Sequence, residues 1–331
     1  MLHVKTQQVS FGLGTFRFFL AFLVAITHLW EDMLQGAAAY AVWGFFVLSG
    51  FLMTLVLRNK YGITKEGVRD YLFNRWLRIY PSYVVGCLFG TAVLFALKGQ
   101  DTTILNPAFF FPERVVDYVG NIIMSPFHLR GYFVPVAGAL FTEVWAYMLM
   151  PFAAKSRSAA WLGLFLSIFA NCNYGFETTS FAERYSLFAP AIIGFFVGSL
   201  CQHYMDNLKK VAMPKLSLFV WCLHACIWWV DQLYPWTFGL YVSLVCSAWV
   251  VVSLFPIKTG RLDKLLGDMS YLVYLLHTTV GMCLYWYFGN RSFAFFLPVF
   301  FLTLVLSYIL VVYYEWPLQR RFKRTPKRAQ T

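Results

Sequence analysis

The chain has 331 residues, of which 60% are hydrophobic, 20% aromatic and 13% charged. A soluble domain carries roughly a quarter charged residues, so this composition excludes an ordinary soluble protein and indicates a membrane protein with several spans. The formal net charge of +12 would favour a nucleic-acid partner in a soluble protein. In a membrane protein the same excess marks the cytoplasmic side and its contact with anionic lipid, so we expect no nucleic-acid partner.

Apolar runs that could cross a bilayer recur along the whole chain. A hydrocarbon core of ~30 Å needs about 20 mostly apolar residues in a helix, and that window predicts about ten spans, at 15–34, 38–57, 80–98, 134–153, 159–174, 185–203, 215–231, 238–256, 269–288 and 293–315. No small-residue cleavage site accompanies the first run, which is therefore predicted to stay as a membrane helix. The proline-containing connection 99–133 includes a shorter apolar segment, 115–124, that is predicted to be re-entrant or interfacial.

Lysine and arginine are distributed unevenly between the two sides that these spans define. One side carries 22 of the 27 basic residues and the other carries 5, and an excess of basic residues marks the cytoplasmic side. Adding or removing one span would scramble this alternation. We therefore predict an all-α polytopic membrane protein of about ten transmembrane helices with both termini in the cytoplasm. Residues 1–331 are expected to form one membrane-embedded domain, of which 318–331 are a basic cytoplasmic tail.

Two ionisable residues in the first predicted span, Arg17 and His28, are candidates for a functional role. Ionisable groups inside a span are costly and mark functional sites. Their spacing of 11 residues is about three helical turns, which places both side chains on one helix face, ~16 Å apart along the axis. The alternatives are that Arg17 reaches the interface by snorkelling and that His28 is a packing histidine.

Glu143 lies near the middle of the fourth predicted span, where a carboxylate needs a partner or a proton. Its predicted depth is similar to that of His28, so we predict that Glu143 positions the His28 imidazole. A structural hydrogen bond to another helix is the alternative. Ser49 in the second span and His277 in the ninth are interpreted as packing or supporting residues. Ser49 could act as a nucleophile only with a base beside it.

The predicted cytoplasmic loop 58–79 carries Arg75 and Arg78, whose spacing places them on one face of a helical turn. Arginine fits phosphate in a bidentate geometry, so this pair is a candidate phosphate site. The alternative is that Arg75 and Arg78 only contribute to the positive charge that the topology requires on the cytoplasmic side.

Several short motifs occur in an order and spacing that resemble one known family. They are Arg17-x10-His28, Phe45-Phe46-Val47-Leu48-Ser49-Gly50-Phe51, Arg75-x-x-Arg78 with Tyr80-Pro81, Glu143 with Tyr147 and Pro151, Ser270-Tyr271-x-x-Tyr274-Leu275-x-His277, and Glu315-x-Pro317. Together they resemble the membrane acyltransferase-3 family, bacterial proteins that O-acylate cell-surface carbohydrates. The chain departs from many members beside its first arginine, at Phe16 and Phe18, and beside its glutamate, at Val144.

The resemblance implies an O-acyltransferase of the bacterial inner membrane that uses cytosolic acyl-CoA, in the first instance acetyl-CoA, as its donor substrate. The acceptor would be a hydroxyl of lipopolysaccharide O-antigen, of an exopolysaccharide or of a lipid-linked glycan. The implied site residues are Arg17, His28 as general base and Glu143 in catalysis, Arg17, Arg75 and Arg78 on the donor, and Ser49, Tyr147 and His277 in support. Transfer would be direct or would pass through an acyl-enzyme on His28 or Ser49. No permanent cofactor or metal is expected, since the seven cysteines include no C-x-x-C pair.

Two other classes of function fit parts of the pattern. A transporter or flippase for a glycan or small solute would use the buried charges as a substrate or proton path. It predicts inverted repeats and broken helices in matched positions, which we do not find in the sequence. A partner-binding scaffold would not require Arg17, His28 and Glu143 inside the membrane.

Overall fold

The computed structural model of the protein describes residues 11–33, 36–127, 129–173, 184, 187–230 and 236–324, and these residues form helices and no β-strands. The helices are α1 (Leu13–Leu29), α2 (Ala37–Val56), α3 (Lys65–Ala96), α4 (Val115–Ile123), α5 (Ala137–Lys155), α6 (Arg157–Cys172), α7 (Phe188–Ala191), α8 (Ile193–His203), α9 (Met205–Leu208), α10 (Pro214–Val230), α11 (Trp236–Leu254), α12 (Arg261–Phe288), α13 (Phe293–Leu310) and α14 (Trp316–Phe322). Two π-helical turns, Leu57–Tyr61 and Val311–Glu315, extend α2 and join α13 to α14, and a 3-10 turn, Lys209–Val211, follows α9. The all-helical prediction is confirmed for the described residues.

Several of these helices are long and apolar enough to cross a membrane, judged by length and composition. Four segments qualify: Ala37–Tyr61, Lys65–Ala96, Ala137–Lys155 and Phe293–Phe322. A fifth is added if Phe188–His203 and Met205–Val211, which are bent by 74°, form one span. Each predicted span overlaps a described helix. The chain is thus a multi-pass membrane protein, while ten spans and cytoplasmic termini stay predictions.

Helix α1 is shorter than the predicted span 15–34, because it ends at Leu29. Trp30 adopts an extended conformation, and two acidic residues, which prefer water, follow in a turn. His28 therefore lies in the last turn of α1 rather than well inside a longer helix. Arg17 is on the same helix, as predicted.

Helix α3 includes most of the segment predicted to be a loop, 58–79. Thr64 caps its start, since the Thr64 hydroxyl accepts a hydrogen bond from a backbone N–H of the first turn at 3.1 Å. Pro81, which was expected to open a span, lies inside the helix without ending it. Arg75 and Arg78 therefore belong to one face of a continuous helix rather than to a loop.

Helix α4 has its polar side turned inward and its apolar side outward. Asp117 and Asn121 are buried, whereas Val115 is 79% exposed and Ile122 is 60% exposed. Its 9 residues are too few to span a bilayer. A short helix with an outward apolar face suits the membrane interface, which agrees with the interfacial alternative for 115–124.

One carboxylate joins the N-terminal ends of α1 and α12. Asp263 accepts hydrogen bonds from the backbone N–H groups of Gly12 (2.9 Å), Gly14 (3.2 Å) and Thr15 (2.8 Å), and from the Thr15 hydroxyl (2.7 Å). The N-cap residue of α1 makes no side-chain cap of its own, so Asp263 satisfies the free N–H groups and complements the positive end of the helix. Glycine is needed here, because a Cβ on Gly14 would lie 2.0 Å from the Asp263 carbonyl oxygen, and one on Gly267 would lie 2.9 Å from Gly14 Cα.

These hydrogen bonds also keep the Asp263 carboxylate charged. Burial raises the pKa of Asp263, but the hydrogen bonds from Thr15 and from the backbone of Gly12 and Gly14 outweigh burial, so the pKa is lower than usual. A group with a lowered pKa in the folded state stabilises the fold fully above its ordinary pKa, about 4 for aspartate. That stabilisation is lost as the pH falls through the lower, folded-state value.

Asp263→Asn is expected to lower the free energy of unfolding by about 1–2 kcal/mol, because the amide cannot accept all the N–H groups that face it. The measurement is the thermal-unfolding midpoint of the detergent-purified protein. Asp206→Asn is the matched control, since the Asp206 side chain is 97% exposed in its ion pair with Lys209 and such pairs contribute little.

The same pair of variants tests the charge state. The difference in midpoint between wild type and Asp263→Asn should stay constant from about pH 7 to pH 5 and shrink only below that range. Equal midpoints for Asp263→Asn and Asp206→Asn would show that the hydrogen bonds of Asp263 to the start of α1, which we call the Asp263 clamp, do not stabilise the fold.

Candidate active site

Helices α1 and α12 bring two histidines together. The ring centroids of His28 and His277 are 5.5 Å apart, with the ring planes inclined by 39°. His277 is fully buried, and its Nδ1 lies 3.0 Å from the Val273 carbonyl oxygen. A carbonyl oxygen only accepts, so Nδ1 carries the proton and the neutral ring presents Nε2 as an acceptor. Among the described residues this buried Nε2 has no hydrogen-bond partner, so it can accept an N–H from the neighbouring imidazole.

His28 lines a cavity of about 170 Å³, which we call the histidine cavity. The remaining lining residues are Val24, Ala38, Val42, Asn106, Ser125, Pro126, Phe127, Tyr132, Pro135, Val136, Gly138, Ala139 and Tyr274. The long connection between α3 and α5 therefore covers one side of the cavity and contributes polar atoms from Asn106, Ser125 and Tyr132. Within the described part of the chain, no hydrogen bond occupies the His28 imidazole. An imidazole on a cavity wall can act as a general base toward a hydroxyl bound beside it.

Glu143 on α5 forms a hydrogen-bonded group with Ser49 and Tyr147. The Ser49 hydroxyl donates to Glu143 Oε1 at 2.6 Å, and the Tyr147 hydroxyl donates to the same oxygen. Among the described residues there is no hydrogen bond between Glu143 and His28, so the predicted positioning of His28 by Glu143 differs from this arrangement. Similar depth on two helices does not determine which way each side chain points around its helix axis.

Glu143 instead shares a small cavity of about 30 Å³ with Arg17, which we call the arginine cavity. The other lining residues are Val42, Phe45, Phe46, Ala139, Leu140, Ser270, Tyr271 and Tyr274. Arg17 interacts electrostatically with Glu143 and also with Arg75 and Arg78. Its Nε is buried without a hydrogen-bond partner, and no ion pair of the described residues includes Arg17. Two further carboxylates lie near these arginines, since Asp268 pairs with Arg78 and Glu315 interacts with Arg17 and Arg78. Arg17 and Arg75, which have no ion-pair partner among the described residues, are therefore the cations that suit an anionic group.

The two arginines of α3 have different surroundings. Arg78 pairs with Asp268 at 3.0 Å, and the second oxygen of that carboxylate accepts the Trp316 indole N–H at 3.0 Å. Arg75 has a buried Nε without a hydrogen-bond partner and belongs to none of the ion pairs among the described residues. A guanidinium has five N–H donors, so Arg78 retains donors for a ligand. Arg75 donates to none of the carboxylates among the described residues.

A thin wall separates the arginine cavity from the histidine cavity. Val42, Ala139 and Tyr274 line both. The Tyr274 hydroxyl donates to the Val136 carbonyl oxygen at 2.7 Å, which holds the ring within the wall. The two cavities therefore follow one another along α1, with the arginine end on one side of the wall and the histidine end on the other.

The structure adds three residues to which the sequence reasoning assigned no role: Tyr274, Asp268 and Trp316. Tyr274 belongs to one of the motifs on which the family resemblance rests, so the sequence could have identified it as a candidate site residue. Asp268 immediately precedes the ninth predicted span and Trp316 immediately follows the tenth, and only the packing of those helices brings the two together. The described residues contain no group of three or more His, Cys, Asp or Glu side chains that could hold a metal ion.

Comparison with known proteins identifies a family. Residues 11–312 match the model of the acyltransferase-3 family, described as an acyltransferase domain. No curated protein and no solved structure matches the chain. The matched range extends from α1 through α13 and contains both the arginine cavity and the histidine cavity. This multi-pass membrane protein therefore belongs to the acyltransferase-3 family and is an acyltransferase.

Proposed function

We propose that the protein is an O-acyltransferase of the bacterial inner membrane. It transfers an acyl group, acetyl in the simplest case, from cytosolic acyl-CoA to a hydroxyl of a cell-surface or lipid-linked carbohydrate. The observation that carries the proposal is the pair of cavities that meet at Val42, Ala139 and Tyr274. One presents a cation that suits an anionic donor, and the other presents an imidazole that suits a hydroxyl acceptor.

The donor binds on the arginine side. Acyl-CoA carries phosphates at one end of a long arm and a thioester at the other, and Arg75 and Arg78 on α3 hold its pyrophosphate. Arg17 lies deeper and contributes a further, partly buried cation without an ion-pair partner among the described residues. This line of cations favours an anionic ligand over a neutral one.

Entry of the acyl arm requires the wall between the cavities to open. The arginine cavity holds about 30 Å³, which is room for one or two water molecules and not for a pantetheine arm. Tyr274 is the largest side chain shared by both cavities. A change of its rotamer would join the two spaces and let the thioester reach the histidine cavity.

His28 acts as the general base. It takes the proton from the acceptor hydroxyl, the oxygen attacks the thioester carbonyl carbon, and the carbon–sulfur bond breaks as CoA leaves and is protonated by His28. His277 Nε2 accepts the N–H of the His28 ring and thereby directs its other nitrogen toward the acceptor. Glu143 balances the charge of Arg17 and holds the Tyr147 and Ser49 hydroxyls in place.

His28→Ala and Arg17→Ala are each expected to reduce acyl transfer at least a hundredfold, because the first removes the base and the second a partly buried cation on the donor path. The measurement is transfer of labelled acetyl groups from acetyl-CoA into the glycan fraction of membranes that contain each variant. Arg157→Ala is the control, since Arg157 lies at the start of α6 away from both cavities. Wild-type activity in both His28→Ala and Arg17→Ala would sink the mechanism.

His277→Phe is expected to lower kcat about tenfold or more with the KM for acetyl-CoA unchanged, because the ring volume is kept but the acceptor for His28 is lost. His277→Gln, which retains an acceptor oxygen, should recover part of the rate. The measurement is steady-state kinetics in membranes with matched protein amounts. If kcat falls equally in His277→Phe and His277→Gln, or if KM changes rather than kcat, His277 has only a packing role.

A further inference from the structure

A third, strongly basic cavity lies between the start of α12 and α14, apart from the arginine and histidine cavities. It holds about 470 Å³ and is lined by Arg261, Lys264, Trp316, Gln319, Arg320 and Lys323. We call it the basic cavity. Four of its six lining residues are cations and none is acidic, whereas a solvated protein surface normally intersperses both signs.

The four cations of the basic cavity are not paired with acidic side chains of the described residues. Within this part of the chain, none of these side chains forms an ion pair or a hydrogen bond. Partial burial lowers the pKa of Lys323, and the nearby charges of Lys60, Arg75, Arg78 and Lys264 lower it further. All four side chains are exposed to water, and their mutual repulsion would be relieved by an anion that binds between them.

The basic cavity is connected to the arginines of the donor path. Trp316, which lines it, donates its indole N–H to Asp268, and the other oxygen of that carboxylate pairs with Arg78. Lys264 Nζ lies 5.7 Å from the centre of the Trp316 ring. A ligand that occupies the basic cavity would therefore contact the same carboxylate-linked group that positions Arg78.

We propose that the basic cavity binds the nucleotide end of the donor, with its cations on the 3′-phosphate and the Trp316 ring beside the adenine. This inference rests on the proposed use of acyl-CoA, and it separates two roles. Arg75 and Arg78 serve the pyrophosphate, and the basic cavity serves the terminal phosphorylated adenosine. Cations beside an aromatic ring suit a nucleotide, which carries both a phosphate and a base that can stack. An anionic lipid headgroup supplies the same phosphate chemistry but has no ring to stack on the indole.

Direct binding tests the assignment without any transfer activity. Adenosine 3′,5′-bisphosphate is titrated by calorimetry into the full-length protein in nanodiscs of neutral lipid at low salt. Lys264→Ala and Arg320→Ala should each weaken its binding about tenfold, which is the effect of removing one charge-assisted hydrogen bond. Lys210→Ala is the matched control, because Lys210 is exposed and lines none of the three cavities. Unchanged binding in both test variants overturns the inference.

The lipid source is tested in a second arm. The same variants are compared in nanodiscs that contain phosphatidylglycerol, with the retained anionic lipid quantified by mass spectrometry. If Lys264→Ala and Arg320→Ala lose bound lipid but bind the bisphosphate as wild type does, the cavity is a headgroup site and the nucleotide assignment fails. Loss of bisphosphate binding in both nanodisc types supports the nucleotide.

Kinetics distinguishes failure of this site from failure of the proposed reaction. Acetyl-CoA is compared with S-acetylpantetheine, which lacks the nucleotide. The ratio of kcat/KM for acetyl-CoA to that for S-acetylpantetheine should fall about tenfold in Arg320→Ala and stay at the wild-type value in Lys210→Ala. An unchanged ratio in Arg320→Ala overturns the inference although transfer itself persists. A wild-type protein that transfers from neither donor refutes the proposed reaction, and the calorimetric result then decides the binding site by itself.

Discussion

Asp263 holds α12 against the start of α1, at a point where glycines on both helices let the backbones touch. His277 follows Asp263 by 14 residues, and His28 follows Gly14 by 14 residues. At 1.5 Å per residue both histidines lie ~21 Å beyond this contact, so two parallel helices fixed at one end deliver their rings to each other 5.5 Å apart. A slip of one residue would rotate either ring by about 100° around its helix. The register that the carboxylate sets is thus the condition for the histidine pair.

The same pair of helices places the Arg17 guanidinium and the His28 imidazole in separate cavities. Arg17 lies one turn beyond the clamp, in the arginine cavity, and His28 lies at the far end of α1, in the histidine cavity. Tyr274 on α12 stands between them in the shared wall. A donor that enters beside the arginines and an acceptor that enters beside His28 would approach this wall from opposite sides. In the proposed reaction the acyl group would move along this path inside the membrane, where the surrounding apolar side chains would exclude water from the thioester.

Hydropathy and charge predicted the helical segments well, because burial in lipid requires long apolar runs that are visible in the sequence. The same two properties predicted the helix ends poorly. The span that contains His28 was extended past Leu29, where α1 ends, and Arg75 was assigned to a loop although it lies in α3. The pairing of Glu143 with His28 required the rotation of each helix about its axis, which depth alone does not contain. Ser49 meets Glu143, and His277 meets His28, through packing between helices distant in sequence. Tyr147 instead reaches Glu143 from one turn along the same helix.

The polar atoms that the fold leaves unsatisfied argue for where ligands bind. Buried polar groups in proteins are nearly always hydrogen-bonded, and the cost of leaving one unpaired is greater for a charged group. Among the described residues, Arg17 Nε and Arg75 Nε are buried without a hydrogen-bond partner, and both arginines lie on the proposed donor path. Residues kept only for packing could be replaced by apolar ones at no such cost. Two unpaired guanidinium groups along one path, beside the four exposed cations of the basic cavity, suit an anionic substrate that supplies their partners.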